Sequence, residues 1–260
     1  MTRLKQGLRI QTRVIGALMI RELATRFGRE NIGFLWIVLE PLMFAVLVGL
    51  VWRFMKGPEE HGVSIISFIV TGYIPMVMFR NAVNRSIGLF TANGGLMYHR
   101  QIKIADFVFV RFLIEAIGHM VAYLAIGVVL VLLGEFPVPS DIGLVLAGWS
   151  IYGLFTLAIC SVVAPLSEMS SVLEKIMPVV TYIMIPFSGT FTMTSWLVPS
   201  AQRVVLYAPP VHAMEMMRFG VFGFAIDPMY DVAYPVAVSL VVLMVGLSLC
   251  RKVRCTLVVE

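Results

Sequence analysis

The chain is 260 residues long, 59% hydrophobic and 13% charged, with a mean hydropathy of +0.91. That is more apolar surface than one water-soluble core absorbs, so the composition excludes a soluble globular protein and predicts an all-α integral membrane protein. The net charge of +5 needs neither a nucleic acid nor an acidic ligand, because basic residues collect at the inner membrane face and meet anionic lipid there.

Residues 2–30 intersperse Leu4, Leu8, Val14, Leu18, Leu23 and Phe27 with Arg3, Lys5, Arg9, Arg13, Arg21, Arg26 and Arg29. The pattern predicts an amphipathic helix in the inner interface over 1–32. Six apolar stretches follow, at 33–53, 63–90, 104–133, 142–164, 173–193 and 231–250, each of about 20 residues or more, the length a membrane-crossing helix needs. The first begins too late, and after too many charges, to be a cleavable signal peptide. An even number of crossings puts both termini on one side. With that side inside, segments 1–32, 92–103, 164–177 and 251–260 carry 7, 2, 1 and 3 Lys or Arg, whereas 53–62, 134–141 and 194–230 carry 2, 0 and 2. The asymmetry predicts cytoplasmic termini.

Gly28 and Gly33 have the glycine spacing of a phosphate-binding loop, but Phe34 and Leu35 stand where that loop needs Lys and Ser or Thr, so no nucleotide site of that kind is expected. Within the first span, Pro41 removes a backbone bond and gives Glu40 groups to reach, for a structural role or one along a pathway. Spans 63–90 and 104–133 would each rise over about 40 Å against a slab of about 30 Å. Their cytoplasmic ends are therefore expected to project and to meet in a hairpin over 92–103, within "TANGGLMYHRQIKIAD" (91–106), broken at Asn93, Gly94 and Gly95 and offering Tyr98, Arg100 and Lys103. Helical spacing gathers Arg80, Asn81, Asn84, Arg85, Gly88 and Thr91 into one arc, either snorkelling at the interface or facing a water-filled path. Arg111, Glu115 and His119 share a face of the third span. A mid-membrane charge costs about 2.5–3.5 kcal/mol, so Arg111 and Glu115 are expected to pair with each other or with partners on other helices.

Cys160, Cys250 and Cys255 lie at or near the cytoplasmic ends of spans and read as free thiols. Residues 194–230 are apolar but divided by Pro199 and Pro209-Pro210 into pieces too short to cross, the pattern of two re-entrant helices on the outer side. His212 and Glu215 stand three apart, a spacing metal ligands use, but one such pair is weak evidence and no metal site is assigned. No Gly-x-Ser-x-Gly, His-Glu-x-x-His or Cys-x-x-Cys occurs, so no catalytic residue is expected. A secondary transporter would repeat its broken helices in both halves, and 194–230 has no counterpart in the first half.

Taken in order, "TRFGRENIGFLWIVLEP", "TGYIP", "NRSIGLFTANGGLMYHRQIKIADFVFVRFLIE" and "YAPPVHAMEMMR" resemble the membrane subunit of ABC-2-type capsular polysaccharide exporters across nearly the whole chain. Arg26-Phe27, Ile32-Gly33, Trp36 and Glu40-Pro41 carry the most specific part. Ile32 stands where Leu is usual, and "QIKIAD" lacks the family's common Val and Pro. The resemblance implies the ABC-2 (type V) exporter fold in a bacterial inner membrane, working as a homodimer with two copies of a separate ATPase that holds ATP and Mg. It implies a lipid-linked polysaccharide as cargo and periplasmic or outer-membrane export proteins as further partners. Tyr98, Arg100, Lys103, Arg26 and Phe27 would then dock on the ATPase, with "PLSEMSSVLEKIMP", which contains Glu168, as a second contact. The pieces at 194–222, with Trp196 and His212, would gate the outer mouth. Trp36, Phe44, Trp52, Tyr182, Phe187, Phe191 and Trp196 would offer rings to the polymer, Arg80 and Arg85 positive charge, and Glu40 would lie at the dimer interface.

Overall fold

The computed structural model describes residues 3–27, 33–97 and 102–257. Side chains at 3–4, 27, 33–38, 40–41, 56, 60, 97 and 254–257 are not described, so the readings placed on Phe27, Trp36, Glu40, Pro41, Tyr98, Arg100 and Cys255 lie outside the described residues.

The chain is almost entirely helical. Helix α1 runs Arg3–Phe27 and α2 Gly33–Lys56. A two-stranded hairpin, β1 Glu59–Glu60 and β2 Val63–Ser64, turns at His61 and Gly62, both at positive φ, as a tight two-residue hairpin requires. Then come α3 Ile65–Ser86, the short α4 Gly94–Met97, α5 Ile104–Leu132, α6 Ile142–Met169 and α7 Ser171–Ile183. After them lie α8 Pro199–Val205, α9 Pro209–Phe222 and α10 Ala233–Leu257. Four helices among the described residues, α3, α5, α6 and α10, are long and apolar enough to cross a membrane, and the apolar stretch Leu42–Met55 of α2 is shorter.

Helix lengths revise one expectation. At 22 residues, α3 rises about 33 Å, which matches the slab and does not outrun it. It stops because Ile87 is extended and Gly88 takes φ +61. Gly88 and Thr91 therefore leave the helical arc expected to join them to Arg80. The over-long pair is α5 and α6, with 29 and 28 residues, each about 43 Å. Asn93, Gly94 and Gly95 do not break the chain either, since a 3-10 turn over Thr91–Asn93 runs into α4. The fifth apolar stretch is helical only over Ser171–Ile183, then passes through a 3-10 turn at Pro186–Ser188 and Gly189 at φ +72.

Helix α3 is the axis of the molecule, buried along most of its length and packed by α2, α5, α6 and α7. Helix α6 holds α9 and α10 against its other side. Three glycines set that spacing: a Cβ on Gly148 or Gly220 would fall 2.8 Å from a backbone oxygen across the α6–α9 seam, and one on Gly246 would strike Ser161. These helices touch backbone to backbone.

Residues 184–208 contain only single turns and the seven-residue α8, so their polar backbone needs partners from elsewhere. Helix α9 supplies them. Pro199 and Pro209 stand at the first positions of α8 and α9, where a missing N–H costs nothing, so these prolines begin helices. Arg218 is fully buried and donates to the carbonyls of Gly189 at 2.6 Å, Thr190 at 2.5 Å and Thr192 at 3.2 Å, with its guanidinium carbon 3.7 Å from the Phe68 ring centre. Gly72 leaves room for it, because a Cβ there would strike Thr190 O and Arg218 Nη2. Glu215 accepts the amides of Thr194 at 2.7 Å and Met229 at 3.0 Å. Beyond the C-terminal end of the long α5, the Glu135 carboxylate takes Arg53 at 2.7 Å and Ser64 at 3.2 Å, tying α2 and the hairpin to the α5–α6 loop.

Arg218→Met, similar in volume but with no donor, is expected to lower stability by about 3 kcal/mol, because buried carbonyls lose their partners. The thermal midpoint of the purified protein reads this, and Arg218→Lys should recover part of it. The Arg53 hydrogen bond holds the Glu135 carboxyl below its ordinary value of 4.5. A depressed folded pKa means that its stabilisation is present above the unfolded value and lost as pH falls below it through the folded one. Both groups are part-exposed, so Glu135→Gln should cost about 0.5 kcal/mol at neutral pH and nothing in acid, read as midpoints over pH 3–7.

Candidate functional site: an aromatic groove and a helical tip

On α2, Met43, Phe44, Leu47 and Leu50 share one helical face, and on α3 Tyr73 and Arg80 lie two turns apart on another. With Tyr182 and Ile185 at the end of α7, and Phe191 beyond it, they line a cavity of about 890 Å³. Phe44 stacks on Tyr73 with centroids 4.4 Å apart and planes 14° apart. Trp52 supports Phe191 from behind at 5.7 Å. The Arg80 guanidinium carbon lies 5.1 Å from the Tyr182 ring centre, within cation–π range. The result is an open apolar cleft with flat ring faces and one cation. Such a wall suits ligands that have both hydrocarbon or sugar faces and an anionic or hydroxyl-rich part.

Of the residues named for a pathway, Arg80 and Tyr182 meet in this cleft, with Phe44 and Phe191 beside them. Phe187 is exposed on the 3-10 turn outside the lining. Trp196 packs between His61, at 4.6 Å, and Phe68, at 4.7 Å. His212 is buried, its Nδ1 accepting the Asp231 amide and its Nε2 donating to Leu206 O, both at 2.9 Å, which requires the tautomer protonated at Nε2. Its two nitrogens are thus spent on the backbone, as are the Glu215 oxygens.

Arg85 lies elsewhere. The fully buried Glu115 takes Arg26 of α1 at 2.5 Å and Arg85 of α3 at 2.9 Å, while Arg111 reaches Glu22 of α1 at 3.1 Å. Arg111 also donates to Arg85 O. The intrahelical Arg111–Glu115 pair does not form, because α1 crosses the N-terminal half of α5 and brings Glu22 to one charge and Arg26 to the other. Helix α1 is thereby bolted to the bundle. Gln11 also donates to Asp106 at the start of α5, and Arg21 to Asn93 at 3.0 Å.

Just before α5 Lys103 is exposed, and its amide donates to Asp106 at 2.9 Å, capping the helix. Glu168 turns inward to its own chain, accepting the amides of Phe90 at 2.9 Å and Thr91 at 3.0 Å and the Thr91 hydroxyl at 2.5 Å. Sequence reasoning passed over Tyr73 and Arg218. Tyr73 carries a signal only in its seven-residue step to Arg80. Arg218 carried a plain one, a charge inside an apolar segment three residues from an acid.

An ABC-2 type transporter model matches residues 13–222. The chain is 36% identical over 251 residues to the capsule polysaccharide export inner-membrane protein BexB of Haemophilus influenzae, covering 96% of this chain and 95% of that one. It is 37% identical to CtrC of Neisseria meningitidis serogroup A, which carries the same description, over 95% and 93%. It is 26% identical to the polysialic acid transport protein KpsM of Escherichia coli, over 95% and 96%. A family pattern spanning four-fifths of the chain, on a helical bundle with this hydrophobic surface, leads to one conclusion: the chain belongs to the ABC-2 type transporter family.

Proposed function

We propose that this chain is the membrane-spanning subunit of an ATP-driven exporter that moves lipid-linked capsular polysaccharide across a bacterial inner membrane. Two copies of the chain work with two copies of a separate ATPase, which binds ATP and Mg, and both termini face the cytoplasm. The chain itself carries no catalytic step. The observation that carries this reading is the cleft between α2, α3 and α7. Its apolar wall fits the lipid end of the cargo, and the Phe44–Tyr73 stack and the Arg80–Tyr182 pair fit sugar faces and the anionic link between lipid and glycan. In the dimer, two such clefts would face one another across the path. The descriptions of BexB and CtrC, shared over nearly full length, support the cargo class.

The exposed Lys103, the neighbouring tip and α1 offer the ATPase its docking surface. Periplasmic partners would receive the polymer beyond α8. Helix α9, buried on almost every side, acts in this scheme as the fixed wall of the outer mouth and leaves movement to α2 and α7.

Replacing Arg80 by Gln together with Tyr182 by Leu is expected to lower surface polysaccharide by about tenfold, as loss of a desolvated cation and its ring would, while the ATPase still co-purifies at wild-type ratio. Arg85→Gln should instead lower the amount of folded protein by taking from the buried Glu115 one of its two bases and leaving Arg26 alone to neutralise it. Full export from the Arg80/Tyr182 double variant would count against the cleft as the path.

A further inference from the structure

Two cytoplasmic elbows about 80 residues apart in sequence meet at one carboxylate. The first elbow follows α3, where Gly88 at φ +61 turns the chain into the 3-10 turn Thr91–Asn93 and α4. The second divides α6 from α7, where a single extended residue, Ser170 at φ −151, separates Met169 from Ser171. Glu168, on the last turn of α6, accepts Phe90 N and Thr91 N on Oε1 and Thr91 Oγ1 on Oε2. Next to it Ser167 Oγ accepts the Gly88 amide at 3.2 Å. The carboxylate therefore sits at the N-terminus of the short helical tip, where the free amides and the helix dipole both favour an anion, and three charge-assisted bonds fix its direction. Engaging an ATPase directly would mean breaking those bonds.

We propose that Glu168 is a positioning residue, a strut that carries displacement of the tip at 91–97 to the α6–α7 elbow. From there α7 carries it to Tyr182 and the wall of the cleft. The proposal rests on the reading of the tip as the motor-facing surface. Its physical content is a link between two elements: with the strut in place the tip is tied to the last turn of α6, one residue before α7 begins, and without it the tip moves alone. Thr91→Val removes one of the three bonds and nothing else, so it grades the effect.

The test uses the full complex of chain and ATPase in lipid nanodiscs, with spin labels at Gly95→Cys and Ile176→Cys, both exposed positions, and Cys255→Ser as background. The distance distribution between the labels is measured without nucleotide and with a non-hydrolysable ATP analogue. With Glu168 present it should stay narrow and keep its mean in both states. Glu168→Ala should broaden it about twofold, with Thr91→Val and Glu168→Gln intermediate. ATP consumed per exported glycan should rise about tenfold in Glu168→Ala while the affinity for the ATPase is unchanged. An unchanged distribution in both Glu168→Ala and Thr91→Val overturns the strut, and so does weakened ATPase affinity at unchanged coupling, which would make Glu168 a docking residue. If the Gly95 label in the otherwise unaltered chain does not sense the ATPase, the docking reading falls, and the distance width still decides the strut by itself.

Discussion

A buried amide or carbonyl without a partner is costly whatever apolar surroundings bury it, and this requirement governs how the chain after α7 is built. From Met184 to Ala208 the backbone satisfies itself only in part, because it forms single turns and one short helix. Three polar side chains of α9 do the work instead. Arg218 holds a row of carbonyls, Glu215 two amides, and His212 one of each. They stand at steps of three on one helix, so a single rigid element organises the irregular segments around it. The same constraint explains why α9 is buried: a guanidinium that replaces missing backbone bonds has to sit where those bonds would have been.

A second group of charges does a related job where α1, α3 and α5 meet. Arg26 and Arg85 close on Glu115, and Arg111 beside them closes on Glu22. Burying one acid between two bases from different helices gives register more than it gives stability, since desolvation consumes much of the attraction. Helix α1 is fixed at its end by Arg26, in its middle by Gln11 on Asp106, and through Arg21 it also touches the turn that leads into the tip.

Much of this was legible in the sequence, and the exceptions have physical reasons. Hydropathy located the apolar runs, and the composition of α9 showed that a broken, polar-bearing segment lies near the end. The end of α3 was not legible, because Ile87 and Leu89 continue the apolar pattern while Gly88 departs from helical geometry. Arg111 and Glu115 stood at pairing distance along one helix, but sequence spacing sees only neighbours on the same helix, and the crossing of α1 belongs to tertiary structure. Arg80 and Arg85 were read as one stripe. Five residues is half a turn too many for that, and the two point to different partners. The inward turn of Glu168 could not be foreseen, because the amides it serves belong to an elbow about 80 residues earlier.

The glycine seam has a mechanical corollary. At Gly148, Gly220 and Gly246 the seams that α6 makes with α9 and α10 leave no room for even one methyl group, with main chain and neighbouring side chains less than 3 Å from where it would stand. Packing that close favours α6, α9 and α10 as one slab. The cleft, lined from α2, α3 and α7, is built outside that slab.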